Sequence, residues 1–169
     1  MRNLILVAFV EPVADGLVFP RSEWPLHITL VRFDADASAG ADPAAALAAA
    51  ADATARAALG ATLLIGEDAG FGRGGSVPVS LVEPDPALQA LHEDLVRAVE
   101  DLDGRILTPH HTLSGYRPHV SHRGAGPEVK RLHPGDAVVL DRIALVDMAP
   151  DGDRTIRRIL RLWSLPDSS

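Results

Sequence analysis

The stretch Leu26-His27-Ile28-Thr29-Leu30 decides how this chain is read, because Pro118-His119-Val120-Ser121-His122 repeats its pattern further along. Each copy sets a histidine and a hydroxyl two residues apart, with a β-branched residue between them. Side chains at i and i+2 of a strand share a face. Each copy therefore presents an imidazole beside a hydroxyl, while Ile28 and Val120 point the other way, into a core. Two such copies on similar strands predict two similar lobes facing each other across a cleft.

Working outward, Leu26 to Phe33 reads as a β-branched, apolar strand. Upstream, Asn3 to Glu11 is a short apolar run stopped by Pro12, the signature of a central strand. Pro12 to Pro25 reads as irregular, and Asp34 to Asp42 as a polar linker. Asp42 caps a helix with Pro43 in its first turn, which runs through the Ala-rich stretch to about Leu59 and stops at Gly60. Strands follow over Ala61 to Glu67 and Ser76 to Glu83, joined by the loop Asp68 to Gly75. Asp85 and Pro86 open a second helix, with Leu88, Leu91, Leu95, Val99 and Leu102 on one face and Gly104 at its end. Tyr116 to Arg123 reads as a short strand. Ala137 to Met148 and Thr155 to Leu165 read as two more, joined by a turn at Ala149 to Asp153. The tail 166–169 is expected to be disordered. Strands and helices are interleaved and several strands join through short turns, so the fold class is α+β with antiparallel sheet.

The 169 residues suit one domain, 1–169. The formal net charge of −7 argues against a broad basic face coating nucleic acid, though not against a small nucleotide or an RNA end held by a few cations. There are no cysteines, hence no thiolate nucleophile or thiolate metal site. The apolar run Leu4 to Val10 is too short to span a membrane and lacks a signal-peptide cleavage region. A cytoplasmic monomer with no membrane partner is expected.

Cleaving a phosphodiester in line needs a base on the attacking oxygen and an acid on the leaving oxygen. Histidine, with an ordinary pKa near ~6.5, fills either role. His27 and His119 on opposite sides of one phosphate can divide the work. The hydroxyls of Thr29 and Ser121 can donate to the non-bridging oxygens. No metal or cofactor is required.

On these residues the chain resembles the two-histidine (2H) phosphoesterase superfamily, the group of 2′-5′ RNA-ligase-like proteins and cyclic nucleotide phosphodiesterases. That family is marked by a duplicated His-hydrophobic-Thr/Ser-hydrophobic motif. HITL at 27–30 matches in full; PHVS at 118–121 matches through the serine, and His122 stands where an apolar residue is usual. The likeness extends to the starting strand, the turn GFG at 70–72, the helix LQALHEDL at 88–95 and the closing LWSL at 162–165. Many relatives carry a helix between the first strand and the first motif, where this chain has a Pro- and Gly-rich segment. The resemblance implies a bilobal fold with helices outside, pseudo-twofold symmetry and a central cleft. It further implies cofactor-free hydrolysis of 2′,3′-cyclic or 2′-5′ phosphodiesters of nucleotides or RNA ends, reversible as ligation.

Other residues carry weaker signals. Arg123 shares the face of His119 and is the candidate cation for the phosphate. Arg32, five residues after His27, should face the opposite side of a regular strand and serve the surface. Trp24, Phe71 and Tyr116 are candidates to stack on a base. His110, His111, His119 and His122 raise a zinc site as a rival, but the i, i+3 spacing of His119 and His122 suits a helix better than a strand, and no carboxylate is close in sequence. His110 and His111 are expected at the cleft rim, and His122 to be structural. Competing functions are a nucleotide or RNA-end binding module without turnover, a degenerate relative serving as a partner protein, and a metal-dependent hydrolase.

Overall fold

The computed structural model describes residues 2–36, 42–71, 73–75, 77–107, 109–121 and 132–165, apart from the side chains of Arg73 and His110. The strands are β1 (Arg2–Phe9), β2 (Val18–Pro20), β3 (His27–Ala35), β4 (Thr62–Phe71), β5 (Val77–Val82), β6 (Arg105–Ile106), β7 (His119–Ser121), β8 (Ala137–Val139), β9 (Arg142–Asp147) and β10 (Ile156–Ser164). The helices are α1 (Pro43–Ala58) and α2 (Pro86–Asp101). The strands form one sheet in the order β2-β10-β9-β1-β3-β7-β5-β4-β8, with β6 on β3. Every pairing is antiparallel. The α+β antiparallel class expected from the sequence is the one observed. No described helix is long and apolar enough to cross a membrane.

Both helices start as their caps dictate. Asp42 accepts from the Ala44 N–H and Asp85 from the Leu88 N–H, each ahead of a proline whose fixed φ suits the first turn. Ala44, Leu47, Ala51 and Ala55 of α1 share one buried cluster with the leucines of α2. Alanine is small enough to let α1 lie close to its partner while still favouring the helix. That cluster also takes Leu4, Leu6 and Ala8 of β1, Ile28 of β3 and Val120 of β7. The other face of β1, Ile5, Val7 and Phe9, builds a second cluster roofed by Phe19, Leu17 and Trp24. Being covered on both sides explains why β1 reads as an unbroken apolar run.

Several expectations need correction. The segment 137–148 is two strands, β8 at the sheet edge and β9 between β1 and β10. Leu140 divides them. It is buried, and its main chain exchanges bonds with Gly60 and Ala61 at the α1–β4 turn (2.9 and 2.7 Å). From β8 to β9 the sheet path crosses six strand spacings, about 29 Å if flat. The three steps from Val139 to Arg142 span at most about 11 Å. The sheet must therefore curl, and side chains from both its ends, Leu63 and Trp163, meet in the helix-side cluster. The segment 12–25, read as irregular, contains β2, which pairs with β10. Strand β4 runs on to Phe71, beyond the expected Glu67, because Gly70 lets the hairpin close. A Cβ there would lie 2.6 Å from the Gly75 carbonyl oxygen.

One irregularity bears on function. The β1–β3 register pairs Leu6 with Val31 but Val7 with Thr29, leaving Leu30 as a β-bulge. Leu30 and Val31 are both buried in the helix-side cluster. The bulge flips the parity of the strand, so Arg32 lies on the face of His27 and Thr29 rather than opposite them. The expectation for Arg32 fails because it assumed a regular strand.

Candidate active site

The two motif copies are neighbours. Strands β3 and β7 pair with Ile28 opposite Val120, both fully buried on the helix side. One step either way along this antiparallel pair sets His27 beside Ser121 and Thr29 beside His119 on the opposite face. Each histidine thus stands across from the other copy's hydroxyl. The two histidines occupy diagonal positions, which lie roughly 7–8 Å apart in such a ladder, their Cβ atoms somewhat closer. Ile28 and Val120 are the pivot of a local twofold relation between the copies.

The same device aims both rings. His27 Nδ1 lies 2.9 Å from the Pro25 carbonyl and His119 Nδ1 2.8 Å from the Arg117 carbonyl, each two residues back. A carbonyl only accepts, so Nδ1 carries the proton in both rings and acid–base work falls to Nε2. The residue before each histidine is tied down in the same way. Val10 N–H donates to the Leu26 carbonyl and Val82 N–H to that of Pro118, both at 2.9 Å. Glu11 adds a bond from the Leu26 N–H at 2.9 Å.

Each ring also meets an aromatic. Trp24 lies 4.4 Å from His27 between ring centroids and belongs to the second cluster through Phe9 and Phe19. Phe71 meets His119 edge-on at 4.3 Å. Arg117 sets its guanidinium carbon 5.0 Å from the Phe71 centroid. Burial pushes the His119 imidazole below its ordinary pKa. The Arg117 carbonyl opposes that shift, and the charges of the Arg117 guanidinium and His111 add to it.

Tyr116 packs inward against the helix-side core. Its hydroxyl donates to the Thr29 carbonyl at 2.8 Å, and its ring stacks on His92 at 3.9 Å and 5°. Burial raises the phenol well above the usual tyrosine range. His92 is itself buried in α2, with Nδ1 2.6 Å from the Leu30 carbonyl and Nε2 accepting from the Leu113 N–H at 2.8 Å. Those partners require a neutral ring protonated at Nδ1. Burial, outweighing the Leu30 carbonyl and the charge of Glu93, holds His92 below its ordinary pKa. Tyr116 and His92 thus grip the main chain of Thr29 and Leu30, the hydroxyl residue and the bulge behind it.

The structure therefore brings together His27, His119, Thr29 and Ser121, with Trp24 and Phe71 at the rings and Tyr116 behind the strand. Arg123 and His122 lie outside the described residues, as do residues 166–169, and so does the His110 side chain. Sequence reading missed Arg117 and His92. Arg117 precedes His119 by two and so shares its face, a parity that could have found it. His92 sits among the leucines of α2, where a buried histidine looks like an apolar position. Among the described residues no group of three His, Asp or Glu side chains is placed to hold a metal ion.

A family model described as the 2′-5′ RNA ligase superfamily matches residues 10–151, a span that contains both motif copies. The chain belongs to that superfamily. This chain shares its fold with solved structures of distant sequence. Escherichia coli LigT complexed with NADP+ is 16% identical, with 98% of each chain covered and a TM-score of 0.60. The same protein complexed with 3′-AMP is 17% identical over 98% of each chain, TM-score 0.58. TT0787 of Thermus thermophilus is 19% identical over 99% of this chain and 100% of that one, TM-score 0.56. No curated protein matches by sequence. Family membership supports phosphoesterase or ligase-like activity for the chain.

Proposed function

We propose that the chain is a metal-independent phosphoesterase that hydrolyses 2′,3′-cyclic or 2′-5′ phosphodiesters of nucleotides or RNA ends. The observation that carries this is the pairing of Ile28 with Val120, which puts two imidazoles and two hydroxyls on one face of adjacent strands. His119, held toward its neutral form, suits the base. Its Nε2 takes a proton from water as the water oxygen bonds to phosphorus. The bond from phosphorus to the 2′ or 3′ oxygen breaks, and His27 Nε2 gives its proton to that oxygen. Thr29 and Ser121 donate to the non-bridging oxygens, where charge develops. Arg117 supplies positive charge beside His119, while Trp24 and Phe71 offer faces for a base. Run backwards, the same two groups would join a 2′-phosphate-type end, with the roles exchanged. The complexes of LigT with NADP+ and 3′-AMP support a small nucleotide as ligand. The test is turnover of nucleoside 2′,3′-cyclic phosphates and 2′-5′ dinucleotides in EDTA across pH. A bell-shaped profile is expected. Binding without turnover of any of them would replace the enzyme by a nucleotide-binding module.

A further inference from the structure

The bulge at Leu30 brings Arg32 onto the face that carries His27 and Thr29, and there Arg32 lines a cavity of about 870 Å³. Six arginines surround this space against three aspartates, in a chain whose net charge is −7. Two of those aspartates are already engaged, Asp147 by Arg2 at 2.6 Å and Asp151 by Arg158 at 3.6 Å, and Arg2 is held by Asp42 as well at 2.7 Å. Asp34 is the third. Arg157 is pinned by the main-chain carbonyls of Met148, Arg154 and Ile156 at 2.7–3.0 Å, which fixes its guanidinium in the cavity wall. Within the cavity wall, Arg32 Nε is a buried donor without a hydrogen-bond partner. Buried polar atoms are seldom left so.

We propose that this cavity is a second phosphate subsite, holding a phosphate of the nucleotide substrate other than the one cleaved between His27 and His119. This rests on the function proposed above. Guanidinium forks match phosphate oxygens, and a partly enclosed group of them binds an anion far better than the same charges spread in water. From Thr29 to Arg32 the strand advances about 10 Å at most, less the slack taken by the bulge. A nucleotide with two phosphates spans that interval once the arginine side chains reach toward it. Substrates bearing an additional phosphate are therefore preferred over those with only the reacting one.

The test is calorimetric binding of adenosine 2′-monophosphate and adenosine 2′,5′-bisphosphate to the wild type, Arg32→Ala and Arg154→Ala. Arg154 stands in an exposed turn, so its variant keeps the test meaningful should Arg32→Ala fold poorly. The bisphosphate is expected to bind at least about tenfold more tightly than the monophosphate, with the ratio falling several-fold in each variant that folds and rising salt narrowing it. Equal affinities in the wild type, no binding of either ligand, or a ratio unchanged in Arg154→Ala and in any folded Arg32→Ala would overturn the subsite. Turnover of a cyclic phosphate with no preference for the second phosphate would sink the subsite while leaving the proposed function standing.

Discussion

Replacing His92 by Phe keeps a ring to stack on Tyr116 but deletes both nitrogens. The Leu30 carbonyl and the Leu113 N–H then each lose a partner, at bonds of 2.6 and 2.8 Å. The buried Leu30 carbonyl left unsatisfied costs about 1–3 kcal/mol, whereas the Leu113 N–H sits on a residue 44% exposed and can turn to water, so the variant should lose about 1–3 kcal/mol. That is a large share of the stability of an ordinary domain. With a urea m-value of about 2 kcal/mol/M, the unfolding midpoint should fall by about 0.5–1.5 M. His92→Asn, whose amide can stand in for Nδ1 against the Leu30 carbonyl, should recover part of the loss. Because the bulge follows Thr29 directly, kcat should fall with stability in the Phe variant and partly return in the Asn variant. A midpoint shift below about 0.3 M would refute the claim that His92 clamps the bulge.

Acid should destabilise the fold through His92 and His119. Both are held below the pKa they have when unfolded, so the folded chain binds fewer protons than the unfolded one as pH drops below about 6.5. Their contribution is complete above that value and is lost as pH falls through the folded values, and urea midpoints between about pH 7.5 and 5 should decline, less steeply in His92→Phe. Gly70→Ala would drive a Cβ to 2.6 Å from the Gly75 carbonyl, which is main chain and yields poorly. A cost of about 1–3 kcal/mol in thermal unfolding is expected, with weakened activity as Phe71 shifts against His119. Thr29→Val and Ser121→Ala should each lower kcat by about 10²-fold in steady-state assays, the scale of one lost oxyanion donor.

Much of the site was legible because strand alternation is a local rule. The spacing of His27 and Thr29, and of His119 and Ser121, puts each pair on one face of its own strand, with Ile28 and Val120 fully buried on the other, while the side-by-side pairing of the two strands is a property of the fold. Asp42-Pro43 and Asp85-Pro86 announce the helix starts through local capping chemistry. What eluded reading depends on partners distant in sequence. Nothing around Leu30 marks a bulge, since its cause lies in the register with β1 and the bond to His92 in α2. The break at Leu140 is equally silent, because it is set by Gly60 and Ala61 across the curl of the sheet. Tyr116 read as a candidate to stack on a base, and only the tertiary fold shows it packed against the core with its hydroxyl on the Thr29 carbonyl.

The central claim is that His27 and His119 act as one acid–base unit on one phosphate. Its most direct test is the kcat/KM of His27→Ala, His119→Ala and the double variant on a nucleoside 2′,3′-cyclic phosphate in EDTA. Each single change should cost about 10²–10⁴-fold and abolish one limb of the pH profile, with the double variant little worse than the poorer single. Independent, multiplying losses, or a single variant that keeps wild-type turnover, would contradict the account.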